Sequence, residues 1–148
     1  MRDLIITFEV PGSPQGKGRP RFTRAGHAYT PEKTVKYEGL IVARYWKALV
    51  GKKETLTEAA KMADIEIDIL AQYAVPRSDS KATAAKKLTG QIRPRIKPDL
   101  DNVSKAVLDA LNDFAYHDDS QVVKLSVSKK YSDNPGLLVT VIHKSCVE

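Results

Sequence analysis

Four segments of this chain carry the apolar pattern of β-strands, and two long segments carry that of helices. Leu4 to Val10 is rich in β-branched and aromatic residues and is stopped by Pro11, which predicts a first strand. Asp64 to Val75 places Ile65, Ile67, Ile69, Ala71, Tyr73 and Val75 on one side, a strand with one buried face closed by Pro76. Val122 to Tyr131 and Leu137 to His143 alternate likewise. The turn residues Ser132, Asp133, Asn134, Pro135 and Gly136 between them predict a β-hairpin. Thr30, Pro31 and Glu32 form a helix start, and Val35, Val42, Tyr45, Trp46 and Leu49 give that helix its buried stripe until Gly51. Trp46 could stack on a base, but its helical spacing favours the core. The second long helix runs through Val103, Ala106, Val107, Ala110, Leu111 and Phe114, capped at its start by Asp99 or Asp101. Residues 80–90 predict a short helix stopped by Gly90, and residues 52–62 a polar connector or a short helical turn. The order is β, α, β, α, α, β, β: an α+β (mixed α/β) single domain over residues 1–148, with a sheet of about four strands and flanking helices.

Charge changes this picture more than composition does. Of the 148 residues, 42% are hydrophobic and 28% charged, ordinary for a soluble domain, and the formal net charge is +6. Residues 11–29 hold four glycines, three prolines and no acid, with Lys17, Arg19, Arg21, Arg24 and His27 among them. Such a loop suits phosphate contacts, with Phe22 and Tyr29 available to stack on unpaired bases; by itself it is equally a solvated basic loop. Residues 77–97 carry seven Lys or Arg, including Arg93, Arg95 and Lys97, against the single acid Asp79. That second basic run leads directly into Asp99, Asp101, Asp109, Asp113, Asp118 and Asp119, six carboxylates met by one cation, Lys105. A metal ion, a helix N-terminus or solvation must offset their repulsion. Asp109 and Asp113 fit a solvated helix face, and Lys105 either a fixed positive charge at a reacting phosphate or an i, i+4 partner for Asp101. A helix returning antiparallel to a strand would carry Asp118 and Asp119 back beside Asp99 and Asp101. Asn102 suits a residue that caps or orients a ligand carboxylate. Three scattered histidines, His117 among them, make no zinc pattern, and no Walker loop or dinucleotide fingerprint occurs. The lone Cys146 cannot form an internal disulfide and fits a reducing cytoplasm, and no apolar run approaches the length of a membrane span.

The run DLDNVSKAVLDALN followed by YHDDSQV, with the upstream GSPQGKGRPRFTRAGHAYTP, resembles the RusA family of Holliday-junction resolvases of bacteria and their phages. The resemblance implies a RusA-like fold and a homodimeric endodeoxyribonuclease that depends on Mg2+ or Mn2+ and cuts four-way DNA junctions in recombination and repair. It also implies a cytoplasmic protein, encoded by a bacterium, a prophage or a phage, with no organic cofactor and no membrane partner. The family's catalytic set falls on Asp99, Asp101, Lys105 and Asp119. Asp118 is the spare or alternative metal ligand, and Lys17, Arg19, Arg21, Arg24, Arg93, Arg95 and Lys97 are the DNA-contacting cations. The alternatives are a nuclease of the same chemistry acting on flaps or forks, and a catalytically idle DNA-binding protein.

Overall fold

A computed structural model describes residues 2–145; Cys146 lies outside them. The chain order is β1 (Leu4–Pro11), the two-residue strands β2 (Arg21–Phe22) and β3 (Ala28–Tyr29), α1 (Glu32–Gly51), α2 (Glu58–Met62), β4 (Ile65–Ala74), α3 (Lys81–Leu88), α4 (Leu100–Leu111), β5 (Val122–Ser132) and β6 (Gly136–His143). The domain is mixed α+β, as the alternation of patterns predicts.

The main sheet has the order β1-β6-β4-β5. Its registers stack inward-facing side chains into rows: Ile6, Val141, Ile67 and Leu125 in one, Phe8, Val139, Ile69 and Val127 in the next. α1 and α4 pack together over this face. α1 contributes Tyr37, Ile41, Tyr45 and Leu49, and α4 contributes Val103, Ala106, Val107, Ala110 and Leu111. The opposite face mixes Thr7, Glu9, Asp68, Thr140, Ser126 and Ser128 with the apolar Ile5, Leu70, Leu138 and Ile142, and among the described residues no helix packs over it in the way α1 and α4 cover the first.

The expected hairpin is absent. β5 and β6 do not pair: β4 lies between them, parallel to β5 and antiparallel to β6. Residues 133–135 cross the end of β4 instead of reversing a ladder. Turn chemistry marks where the chain bends, while β4, apolar at every inner position, has the stronger claim to the buried centre of the sheet. That leaves β5 on the edge with Val123 and Leu125 exposed.

Two helical details also depart from the pattern. In α1 the buried stripe is Thr34, Tyr37, Ile41, Tyr45 and Leu49, so Val35 faces solvent. Trp46 is 38% exposed and meets Tyr45 edge to face, with ring centroids 5.7 Å apart. The stripe runs through Tyr37, Ile41 and Tyr45 at i, i+4, i+8, and Val35 lies off it. Pro31, one residue after the expected Thr30, is the N-cap. α4 ends at Leu111, and Asp113 with φ 69° turns the chain away, so Phe114 leaves the helical face and stands 47% exposed. Gly90, at φ +87°, ends the segment after α3 as expected.

Candidate nuclease site

The acidic stretch begins where β4 ends. Tyr73, near the last residue of β4, donates its hydroxyl hydrogen to the Pro98 carbonyl at 2.6 Å, pinning the residue just before Asp99. The pKa of the Tyr73 phenol is pushed up to about 12, first by burial and then by the neighbouring Tyr37 and Asp99. The Lys97–Pro98 peptide is cis. Asp99 is the N-cap of α4: its Oδ1 accepts the Asn102 N–H at 3.0 Å. That resolves the choice between Asp99 and Asp101 and leaves the second Asp99 oxygen available at the positive end of the helix. Asp101 stands in the first turn of the helix, exposed, with Lys105 Nζ 3.6 Å from its Oδ2.

The loop after β1 closes against this helix end. The Lys17 N–H donates to the Asn102 carbonyl at 3.0 Å, and the Gly18 N–H to Thr34 Oγ1 at 3.2 Å. A Cβ on Gly16 would lie 2.8 Å from the Asn102 Cβ, and one on Gly18 would lie 2.3 Å from Thr34 Oγ1, so both positions need glycine. Between loop and helix lies a groove of about 840 Å³, lined by Gly16, Arg19, Arg21, Lys33, Lys97, Asp99 and Asn102 among others. One carboxylate at a helix N-terminus thus faces a wall of cations. Of the cations expected at DNA, Arg19, Arg21 and Lys97 line this groove, while Arg24, Arg93 and Arg95 are exposed but are not among its lining residues.

Lys17 is placed differently from these. Its ammonium turns inward to Glu38 Oε1 at 3.1 Å and Asp109 Oδ2 at 3.3 Å. Burial alone would depress its pKa, but the two carboxylates outweigh it and hold the group above its ordinary value. Asp109 is therefore an anchor for the loop, not a merely solvated acid. Nothing in the sequence beyond the glycines on either side of Lys17 signals this, and nothing signals the role of Tyr73.

Asp118 and Asp119 lie elsewhere. They open a short 3-10 turn, Asp119–Gln121, that leads into β5 beside Ile65, the first residue of β4. Ile65 and Tyr73 stand near opposite ends of that strand, so this pair and the Asp99 end of α4 are separated by roughly 26 Å at strand spacing. The antiparallel return exists, but it delivers the pair to the wrong end: β5 starts by the C-terminal end of α4 and only then runs back. Among the described residues no three His, Cys, Asp or Glu side chains come together as a ready metal cluster, while Asp99, Asp101 and Asp119 are hard-oxygen donors of the kind Mg2+ takes.

Within this second pair the roles are distinct. Asp118 caps the turn, its Oδ2 accepting the Ser120 N–H at 3.1 Å, and hydrogen bonding from the Ser120 side chain first and its backbone second holds the carboxyl below the usual range. Gln121 reaches back to accept the N–H groups of His117 and Asp118, and donates to the carbonyls of Lys61 and Ala63. His117 pairs with Glu58 at 2.6 Å. Among the described residues Asp119 makes no side-chain hydrogen bond or ion pair, so of the two it is the carboxylate left free.

Residues 11–142 match the family model described as endodeoxyribonuclease RusA. The chain belongs to the RusA family. It is also 37% identical over 142 residues to the uncharacterized protein YqaN of Bacillus subtilis (strain 168), a match covering 92% of this chain and 94% of that protein. Membership implies an endonuclease acting on Holliday-junction DNA. The matched span takes in the groove, α4 and the Asp118–Asp119 turn together. Among the described residues no helix is long and apolar enough to cross a membrane.

Proposed function

We propose that this RusA-family chain resolves four-way DNA junctions by paired nicks, and that it does so as a homodimer whose two sites each draw carboxylates from both subunits. The observation that carries the reading is the placement of the two acidic pairs at opposite ends of β4. A two-fold axis is the commonest way to join such halves. β5 is a sheet edge of 11 residues with exposed Val123 and Leu125 beside it, an edge open to pairing with another strand. Antiparallel pairing of β5 with a second β5 sets the start of one strand against the end of the other. The end of β5 lies beside Tyr73, which holds Pro98. Asp119 of the partner subunit then approaches Asp99 and Asp101, twice over, on symmetry-related DNA strands.

In this reading Asp99, Asp101 and the partner's Asp119 are the catalytic carboxylates and would hold Mg2+ or Mn2+, with Asp118 keeping its turn in shape. A hard divalent cation bound by few carboxylates supplies polarisation of the scissile phosphate and an activated water. Lys105 provides a fixed positive charge beside Asp101. The exposed arginines of the groove wall and of residues 93–97 hold flanking phosphates, which position DNA without reading its sequence.

The test is complementation. Asp99→Asn and Asp119→Asn proteins are each expected to be inactive on a four-way junction with Mg2+. After mixing and subunit exchange, one site in each heterodimer regains all three carboxylates, and single-strand nicking returns. Two inactive proteins that stay inactive when mixed, with heterodimer formation verified, would place the site within one chain. Cutting of a linear duplex as fast as the junction would remove the substrate assignment.

A further inference from the structure

Residues 21–29 form a small antiparallel ribbon of which only Arg21, in the groove wall, belongs to the acidic site described above. Arg21 pairs with Tyr29 and Phe22 with Ala28. The turn joining the strands is braced from within: Thr23 N–H to the His27 carbonyl at 2.9 Å, Gly26 N–H to the Thr23 carbonyl at 2.9 Å, and His27 N–H to Thr23 Oγ1 at 3.1 Å. Gly26, at φ +83°, takes the left-handed position that lets the turn close. β2 and β3 pack chiefly on each other, apart from the main sheet. The result is a preformed arm that stands off the domain.

What the arm presents is unusual for a surface. Phe22 is 69% exposed and Tyr29 is 47% exposed. Opposed residues of an antiparallel pair share a face, so Phe22 stands with Ala28 on one side and Tyr29 with Arg21 on the other. Apolar rings on a folded arm gain nothing from water, and neither ring belongs to the core cluster or packs against it. The segment from Pro11 to Pro31 has no Asp or Glu. The base of the arm (Arg19, Pro20, Arg21 and Pro31) forms one wall of the groove that holds Asp99. An aromatic ring flanked by arginines, held next to the nuclease groove, has the chemistry of a base-stacking platform.

We propose that the arm is a branch-point wedge: Phe22 stacks on a base freed where duplex arms meet, while Arg24 and, from the ribbon's other face, Arg21 grip the backbone phosphates of the arms around it. This rests on the nuclease reading above and adds to it the residue that tells branched DNA from linear duplex. In linear duplex every base is already stacked, so Phe22 gains nothing there and the arginines contribute equally to both substrates. At a junction the ring replaces a lost base neighbour.

The experiment is done without divalent metal, so cleavage does not enter. Binding of wild type, Phe22→Ala and Phe22→Trp is measured on a four-way junction with 2-aminopurine at the branch point, and on a linear duplex with the same label. Phe22→Ala is expected to lower junction affinity about tenfold or more, the scale of one stacked base, with duplex affinity unchanged. The branch-point fluorescence change seen with wild type should be lost in Phe22→Ala and restored in Phe22→Trp. Equal weakening on both DNAs, or an unchanged junction affinity, overturns the wedge while leaving the nuclease reading intact. Failure of wild type to bind either DNA overturns both.

Discussion

At the leading end of α4, Asp99 caps a helix and Asp101 follows inside it; beyond the other end, Asp118 caps a 3-10 turn and Asp119 follows inside that. The local device is the same: an aspartate ties down backbone N–H groups so that a carboxylate close by is held in a fixed place. The surroundings are opposite. The first pair faces a cationic groove and has Lys105 beside it. The second sits among Glu58, His117 and Gln121, with no Lys or Arg ion-paired to it among the described residues. One end sets its carboxylates beside cations; the other leaves the Asp119 carboxylate without a side-chain partner among the described residues. On the proposed reading the difference makes the two ends complementary halves of one site.

The largest effect that sharpens this contrast lies within the second pair. Asp119→Asn is expected to lower junction cleavage by more than about 100-fold, since even outer-shell partners of a metal cost roughly 10–100-fold. Junction binding should stay level or tighten, because a negative charge facing phosphate is gone. Asp118→Asn should keep near wild-type cleavage, since asparagine caps as well as aspartate. Cleavage assays on both variants would interchange the two roles if Asp118→Asn were the inactive one.

A middle-sized effect separates the cations of the first end. Lys17→Met strands Glu38 and Asp109 under the loop and is expected to lower stability by about 1–2 kcal/mol, less than for a fully buried pair because water reaches it. It should leave the salt dependence of DNA binding unchanged. Arg19→Ala with Arg21→Ala should instead lower the log–log salt slope by about 0.9 for each phosphate no longer neutralised, with little change in melting temperature. A slope that falls for Lys17→Met would return that residue to the DNA surface.

The fold was legible where one pattern governed one element. The β1, β4 and β6 alternations, the α4 stripe and the Ser80-to-Gly90 helix all stand where apolar spacing and turn residues put them. Strand neighbours were not legible, because a turn motif specifies a bend and leaves open what is inserted beside it; β4 entered between β5 and β6 for that reason. At the site, the motif spacing named Asp99, Asp101, Lys105, Asp118 and Asp119, whose roles await the assays above. Spacing could not show that Lys17 points inward or that the two pairs are a strand length apart, since both follow from tertiary packing.

The smallest expected effect concerns pH and the Asp119 end alone. His143 is buried; its Nδ1–H donates to the Ala60 carbonyl at 3.0 Å, and its Nε2 accepts from the Tyr45 hydroxyl at 2.9 Å. Burial holds the imidazole below its ordinary 6.5, and the Ala60 carbonyl opposes this only in part. The unfolded chain therefore takes up a proton that the folded chain refuses, so stability present above about pH 6.5 is lost as pH falls toward the depressed folded value. Melting temperature should drop between about pH 7 and 5, less steeply in His143→Gln. Amide exchange should rise first in α2 and residues 119–121, which His143 and Gln121 tie to the sheet, and not at Asp99. Uniform loosening of both ends would break the contrast.

The insertion of β4 between β5 and β6 also governs how the protein is made. β6 pairs with β1 on one side and β4 on the other, so neither has that partner until residues 136–143 have been synthesised. At about 5–20 residues per second, a nascent chain that has completed β4 waits several seconds for the strand that closes the sheet. No β5–β6 pairing can form early as a local nucleus, and almost every ladder links distant segments, the topology of a slow folder. Until β5 and β6 emerge, a strand with five buried inner positions is unpaired on both edges.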